Sequence, residues 1–101
     1  MDIYQDFAGV YDRFMDEVPY EHWGERIDRL IQKYGVSKPE RDAEGLLESE
    51  RNLVVDLGCG TGTLAELMYA KGYDMIGVDA SECMLNVAME KKEKSGSEIL
   101  Y

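Results

Sequence analysis

Val54-Val55-Asp56-Leu57-Gly58-Cys59-Gly60-Thr61-Gly62 is the stretch that decides the fold. A short apolar run, Leu53 to Leu57, ends abruptly in glycines, which reads as a buried strand turning sharply into a helix. Gly58, Gly60 and Gly62 carry no Cβ, so the backbone there can take positive φ and pass close to a ligand. The helix start behind them offers unsatisfied N–H groups and a partial positive charge, suited to a carboxylate or phosphate. A second apolar run, Met75 to Val78, closes on Asp79, 21 positions after Gly58. A glycine turn and a carboxylate at this distance are the two ends of a nucleotide-type ligand, the carboxylate gripping a ribose diol.

Spacing narrows the ligand. A dinucleotide turn reads Gly-x-Gly-x-x-Gly, and its third glycine would fall on Thr63. The chain instead has Asp-x-Gly-x-Gly-x-Gly over Asp56 to Gly62. A carboxylate two places before the first glycine is awkward for a pyrophosphate. It suits a ligand bearing a cationic amino group, and so an amino-acid-bearing nucleoside over NAD.

Downstream of the turn, Leu64, Leu67 and Met68 mark one face of a helix over 63–71, with Gly72 as its stop. Ser81 is placed to cap a further helix whose inner face carries Met84, Leu85, Ala88 and Met89. Lys91, Lys92 and Lys94 fall near its end, where cations complement the macrodipole, and Gly96 terminates it. Residues 98–101 read as the start of a third strand. The order β-α-β-α-β implies parallel strands with right-handed crossovers, one half of a doubly wound sheet. Three strands with the last one cut at its fourth residue are a poor stopping point, so the segment is expected to be the N-terminal piece of a longer protein. Taken alone it should be marginal or aggregation-prone, and inactive.

Upstream, Phe7, Val10, Tyr11, Phe14 and Met15 make a helical stripe over residues 5–17. Pro19 breaks the chain and fits the first turn of a second helix, striped by Trp23, Ile27, Leu30, Ile31 and Tyr34 and stopped by Gly35. Residues 36–51 hold Pro39, Gly45 and six charged residues between Lys38 and Glu48, the mark of a solvated surface connection with a short turn near Leu46 and Leu47. The chain thus divides into a helical lead-in or lid (1–35), a charged connection (36–51) and a ligand-binding half-domain (52–101).

At this point the chain resembles the class I S-adenosylmethionine-dependent methyltransferases, of the small-molecule type. The matching residues are those at 54–62 and Ile76-Gly77-Val78-Asp79-Ala80-Ser81, followed by Met84 and Leu85; Tyr4, Phe7, Ala8, Tyr11 and Asp12 resemble the family's helical lead-in more loosely. The resemblance implies an α/β Rossmann-like doubly wound sheet with two leading helices, and S-adenosyl-L-methionine as cofactor. It implies that Asp56 orients the methionine amino group, that Gly58 and Gly60 let the backbone pass the methionine moiety, and that Cys59 and Gly62 belong to the same turn. Asp79 would hold both ribose hydroxyls, while Ala80 and Met84 border the adenine. Tyr11 and Trp23 would form a lid over the methyl donor, or else simply belong to their helix stripes.

The bland readings stand beside these. Asp56 can cap the turn, Met84 can be pure core, Cys59 is a small packing residue rather than a nucleophile. His22, the only histidine, is a solvent-facing helix residue in preference to a general base.

Composition bounds what remains. The chain of 101 residues is 45% hydrophobic, and 21 acidic against 11 basic residues give a net charge of −10. Such a surface repels phosphate-rich partners, so nucleic acid is not expected. No run approaches the roughly 20 apolar residues that span a bilayer, and no metal-ligand spacing is present. Cys59 and Cys83 form no disulfide framework, and the N-terminus is no secretory signal, so the cytoplasm is the expected compartment. The leading function is methyl transfer to a small-molecule nucleophile, with catalytic residues unassigned. The alternatives are a non-catalytic donor-binding module and, behind it, an NAD-dependent dehydrogenase half.

Overall fold

The computed structural model describes Val10, Asp12, Arg13, residues 18–39 and residues 52–101. Its elements are α1 (Tyr20–Tyr34), β1 (Leu53–Leu57), α2 (Thr63–Ala70), β2 (Asp74–Val78) and α3 (Glu82–Ser95). Asp12 and Arg13 also have helical backbone. The remaining lead-in residues, including Tyr4, Phe7, Ala8, Tyr11, Phe14 and Met15, lie outside the described set, as do Leu46 and Leu47.

β1 and β2 pair in parallel, Leu53 opposite Asp74 and Leu57 opposite Val78. Asn52 starts the pairing: its carbonyl accepts from Asp74 N at 2.9 Å, and its amide donates to Gly72 O at 3.1 Å. The expected third strand is present as a parallel bridge between Ile76 and Leu100, closed by Gly77 N to Leu100 O at 2.7 Å and Leu100 N to Met75 O at 3.2 Å. This is the partial doubly wound α/β architecture the element order demands.

The core lies on one face of the sheet. Ala65, Met68, Tyr73, Met75 and Ile99 are buried together, with Ile27, Ile31, Val54 and Leu64 packed against them. Period-two alternation puts Val54 and Met75 on that face and Leu53, Val55, Leu57 and Val78 on the other. The second face is exposed: 49% at Val55, 78% at Leu57 and 61% at Leu100. The strands, read from sequence as buried, are buried on one face only.

The helices show where stripe reading fails by a residue or two. On α1 the inward positions are Gly24, Ile27, Asp28 and Ile31, whereas Trp23, Leu30 and Tyr34 are exposed. A polar residue conceals the true face: Asp28 looks inward because its carboxylate accepts from the Tyr73 hydroxyl at 2.5 Å. Pro19 precedes α1 at its cap position rather than lying in its first turn. On α3, Ala88 is buried but Met89 is half exposed, contrary to its placement on the inner face. Ser81 does cap α3, accepting from Met84 N at 3.3 Å, and Gly96 ends it with φ 73°. The charged connection is less detached than its composition implies: Pro39 is fully buried and the Ser37 hydroxyl donates to Leu53 O.

Candidate functional site

The glycine turn is fastened to the end of β2. Gly58 N and Cys59 N both donate to Val78 O, at 2.7 and 3.0 Å, and Gly62 N closes the turn on Cys59 O at 3.1 Å. All three glycines have positive φ: 73° at Gly58, 58° at Gly60 and 80° at Gly62. The reasons differ, and the difference locates the site. A Cβ on Gly58 or Gly60 would meet nothing within 4 Å, whereas one on Gly62 would lie 2.4 Å from the Tyr101 hydroxyl and 3.1 Å from the Ala88 methyl. Gly58 and Gly60 face open space; Gly62 is pressed against protein.

That open space is a cleft of about 130 Å³ between the turn and the start of α1. Asp56, Gly58, Cys59 and Gly60 form one wall, and Tyr20 and Trp23 the other. The two rings meet edge to face, centroids 5.5 Å apart. Pockets for small ligands run to roughly 300–1,000 Å³, so this cleft has room for one end of such a ligand and not for the whole.

Asp79 binds the turn from below. One carboxylate oxygen accepts from Gly60 N and the other from Ser81 N, both at 2.8 Å. Each oxygen retains acceptor capacity for a further donor. Asp56 lines the cleft with no hydrogen-bond partner among the described residues. Its carboxyl is pushed above the usual range, first by burial and then by the charge of Asp79. Asp56 is thus the carboxylate on the cleft wall, with Asp79 outside the lining but close enough to raise its pKa; a positively charged ligand beside Asp56 would relieve that repulsion. The Cys59 thiol is raised to about 11, by burial first and by Asp56 and Asp79 next. It is protonated at neutral pH and unsuited to nucleophilic work.

Ala80 and Met84 continue from Asp79, the first exposed and the second half-buried, beside the cleft rather than on it. Gly62 lies behind the wall. His22 is exposed on α1 and does not line the cleft. Tyr20, Thr61 and Thr63 line it too. Their sequence signal is only proximity to the glycines and to Trp23. Tyr101 also escapes pattern reading: its ring fills the space over Gly77, where a Cβ would come within 2.6 Å of it. Its buried hydroxyl has no hydrogen-bond partner among the described residues, and burial, then Glu66, drives its pKa upward.

Known proteins resemble this chain in sequence and fold. Residues 54–101 match the family model described as a methyltransferase domain. A Geobacillus sp. (strain WCH70) protein, named as a methyltransferase by inference, is 36% identical over 90 residues, covering 89% of this chain and 32% of the relative. A ubiquinone biosynthesis O-methyltransferase of Caulobacter sp. (strain K31) is 35% identical, over 71% of this chain and 29% of its own length. The 18S rRNA (guanine-N(7))-methyltransferase of Schizosaccharomyces pombe is 33% identical, over 69% and 26%. A crystal structure of an S-adenosylmethionine-dependent methyltransferase from Clostridium acetobutylicum superposes with TM-score 0.64 and 25% identity, over 98% of this chain and 35% of that one. The chain spans between about a quarter and a third of the length of these proteins.

Proposed function

The chain belongs to the class I S-adenosylmethionine-dependent methyltransferase family, and we propose that its glycine turn and cleft hold the methionine end of S-adenosyl-L-methionine. The observation that carries this reading is the pair of glycines, Gly58 and Gly60, whose missing side chains leave open space beside Asp56, a carboxyl raised by burial and by the charge of Asp79. A ligand with a cationic amino group and a sulfonium supplies the missing positive charge. Asp56 orients the amino group. Asp79, already fixed by Gly60 N and Ser81 N, presents its remaining lone pairs to the ribose hydroxyls. Ala80 and Met84 border the adenine, Met84 offering adaptable apolar contact. Trp23, on the opposite wall, covers the donor.

The bound donor supplies a methyl group on a sulfonium, and transfer to a nucleophile is in line. What this chain contributes is proximity and alignment. On the domain division made from sequence, residues 52–101 carry the donor site, and Tyr20 and Trp23 are the described residues of the leading part that line it. The acceptor is a small molecule on this reading, since the net charge of −10 opposes a phosphate-rich partner. Relatives include both a ubiquinone biosynthesis O-methyltransferase and an 18S rRNA (guanine-N(7))-methyltransferase.

Equilibrium dialysis with labelled S-adenosylmethionine tests the donor assignment. Saturable binding at one equivalent supports it, and no retention above a bovine albumin control rejects it. Transfer of the labelled methyl to a cell extract then separates an enzyme from a module that only binds.

A further inference from the structure

Sequence position gives Lys91 only a macrodipole role near the end of α3. Its ammonium is occupied elsewhere. It donates to Asp12 Oδ1 at 3.0 Å, Thr61 Oγ1 at 3.1 Å and Thr63 Oγ1 at 2.9 Å, and pairs with Asp12 Oδ2 at 2.8 Å. The Thr61 hydroxyl also donates to Asp12 Oδ1, at 2.5 Å. An ammonium has three protons, and these contacts use them all. Three segments distant in sequence converge on one cation: the leading helical residues, the glycine turn and α3.

The cluster is a partition. Thr61 and Thr63 line the donor cleft on one side. Asp12, Thr63 and Lys91 line a second, open cavity of about 610 Å³ on the other. Thr61 is 3% exposed, and its hydroxyl is committed to the cluster. The Lys91 and Asp12 side chains are only about a quarter exposed (28% and 25%). Removing one strands the other beside half-desolvated hydroxyls, a larger effect than breaking an open surface pair. Among the described residues, every hydrogen bond between Val10, Asp12 or Arg13 and the rest of the fold runs through Asp12.

We propose that Lys91 is a positioning residue for the donor cleft: with Asp12 it clasps the leading helical segment to the Thr61–Thr63 limb of the glycine turn, and so controls retention of the donor. The inference rests on the donor reading above. Lys91 touches neither the cleft nor the methyl group, and acts through Thr61 and Asp12. A bracing role for α3 alone would leave both the leading segment and donor affinity unmoved by its loss.

The test uses the full chain with Lys91→Met, which keeps the aliphatic stem, Asp12→Asn, and the double variant. Hydrogen exchange of the peptide spanning residues 10–13 is measured without donor, and affinity for S-adenosylhomocysteine by calorimetry. Lys91→Met is expected to speed exchange at 10–13 and weaken binding at least about fivefold, the lower end of usual coupling between sites. Asp12→Asn should match it, and the double variant should be no worse than the worse single, because both remove one unit. Should Lys91→Met fail to fold, Asp12→Asn carries the same two readouts. An unmodified chain that binds while its variants bind equally well, or variants whose effects add, overturns the clasp alone. An unmodified chain that binds no S-adenosylhomocysteine overturns the donor reading and the clasp with it.

Discussion

Asp79 does two jobs, and they separate by substitution. Its carboxylate ties Gly60 N to Ser81 N, so Asp79→Ala leaves two backbone donors without their partner, at a cost of about 1–3 kcal/mol each where buried. From the sequence alone, Asp79→Ala is expected to spare the fold; the two backbone bonds now make Asp79→Asn the cleaner probe, since it keeps an acceptor. That variant should bind the donor about tenfold to a hundredfold more weakly, the worth of a charge-assisted hydrogen bond, with a melting temperature closer to the parent than that of Asp79→Ala. Unchanged affinity by calorimetry would remove the ribose role.

Asp56 behaves oppositely. Its folded pKa is raised by burial and by Asp79, so its effect favours the fold fully below the unfolded pKa and is lost as pH rises through the folded value. At neutral pH Asp56 therefore opposes the donor-free fold. Asp56→Asn should therefore raise the donor-free melting temperature at pH 7 while weakening donor binding, and the stabilisation should vanish near pH 4. Destabilisation at pH 7 would show that Asp56 caps the turn instead. Both aspartates were legible from their spacing around the glycines. The bonds from Gly60 N and Ser81 N were not, because spacing says nothing about which donors an apo carboxylate finds.

Among the elements, the turn allows a sharp comparison. Gly60→Ala meets no atom within 4 Å, so its stability cost is the left-handed backbone alone, about 1–2 kcal/mol, whereas its methyl intrudes on the cleft. Gly62→Ala adds a collision with Tyr101 and Ala88 and should cost about 2 kcal/mol or more. Donor affinity should fall further in Gly60→Ala and thermal stability further in Gly62→Ala; the reverse order would misplace the cleft. Ser81→Ala, which removes the cap of α3, should cost about 1 kcal/mol. Strand positions, the cap and the helix stop at Gly96 were readable because each follows from local chemistry. Helix faces were not: Asp28 and Gly24 occupy inward positions on α1 for tertiary reasons, one meeting Tyr73 and the other Leu67 and Lys71. The period shifted by one residue, which is enough to expose Trp23 and place it on the cleft.

For the whole molecule, the element order gave the doubly wound half-sheet, and the one-sided burial sets how the chain behaves. Leu53, Val55, Leu57, Val78 and Leu100 form an exposed apolar face, of the kind that drives association. The 101-residue chain should sediment as concentration-dependent oligomers, and replacing Val55 and Leu57 with threonine and lysine should reduce this without lowering donor affinity. Monodisperse monomer at high concentration would contradict it. No described helix is long and apolar enough to cross a membrane.

The central claim is that the open, carboxylate-lined side of the glycine turn is a methyl-donor site. Calorimetric titration of the chain with S-adenosylhomocysteine and NAD, side by side with Gly60→Ala, tests it most directly. The account predicts one saturable site for S-adenosylhomocysteine, none for NAD, and strongly reduced heat in the folded variant. Binding of NAD in preference, or S-adenosylhomocysteine affinity indifferent to a methyl at position 60, would contradict it.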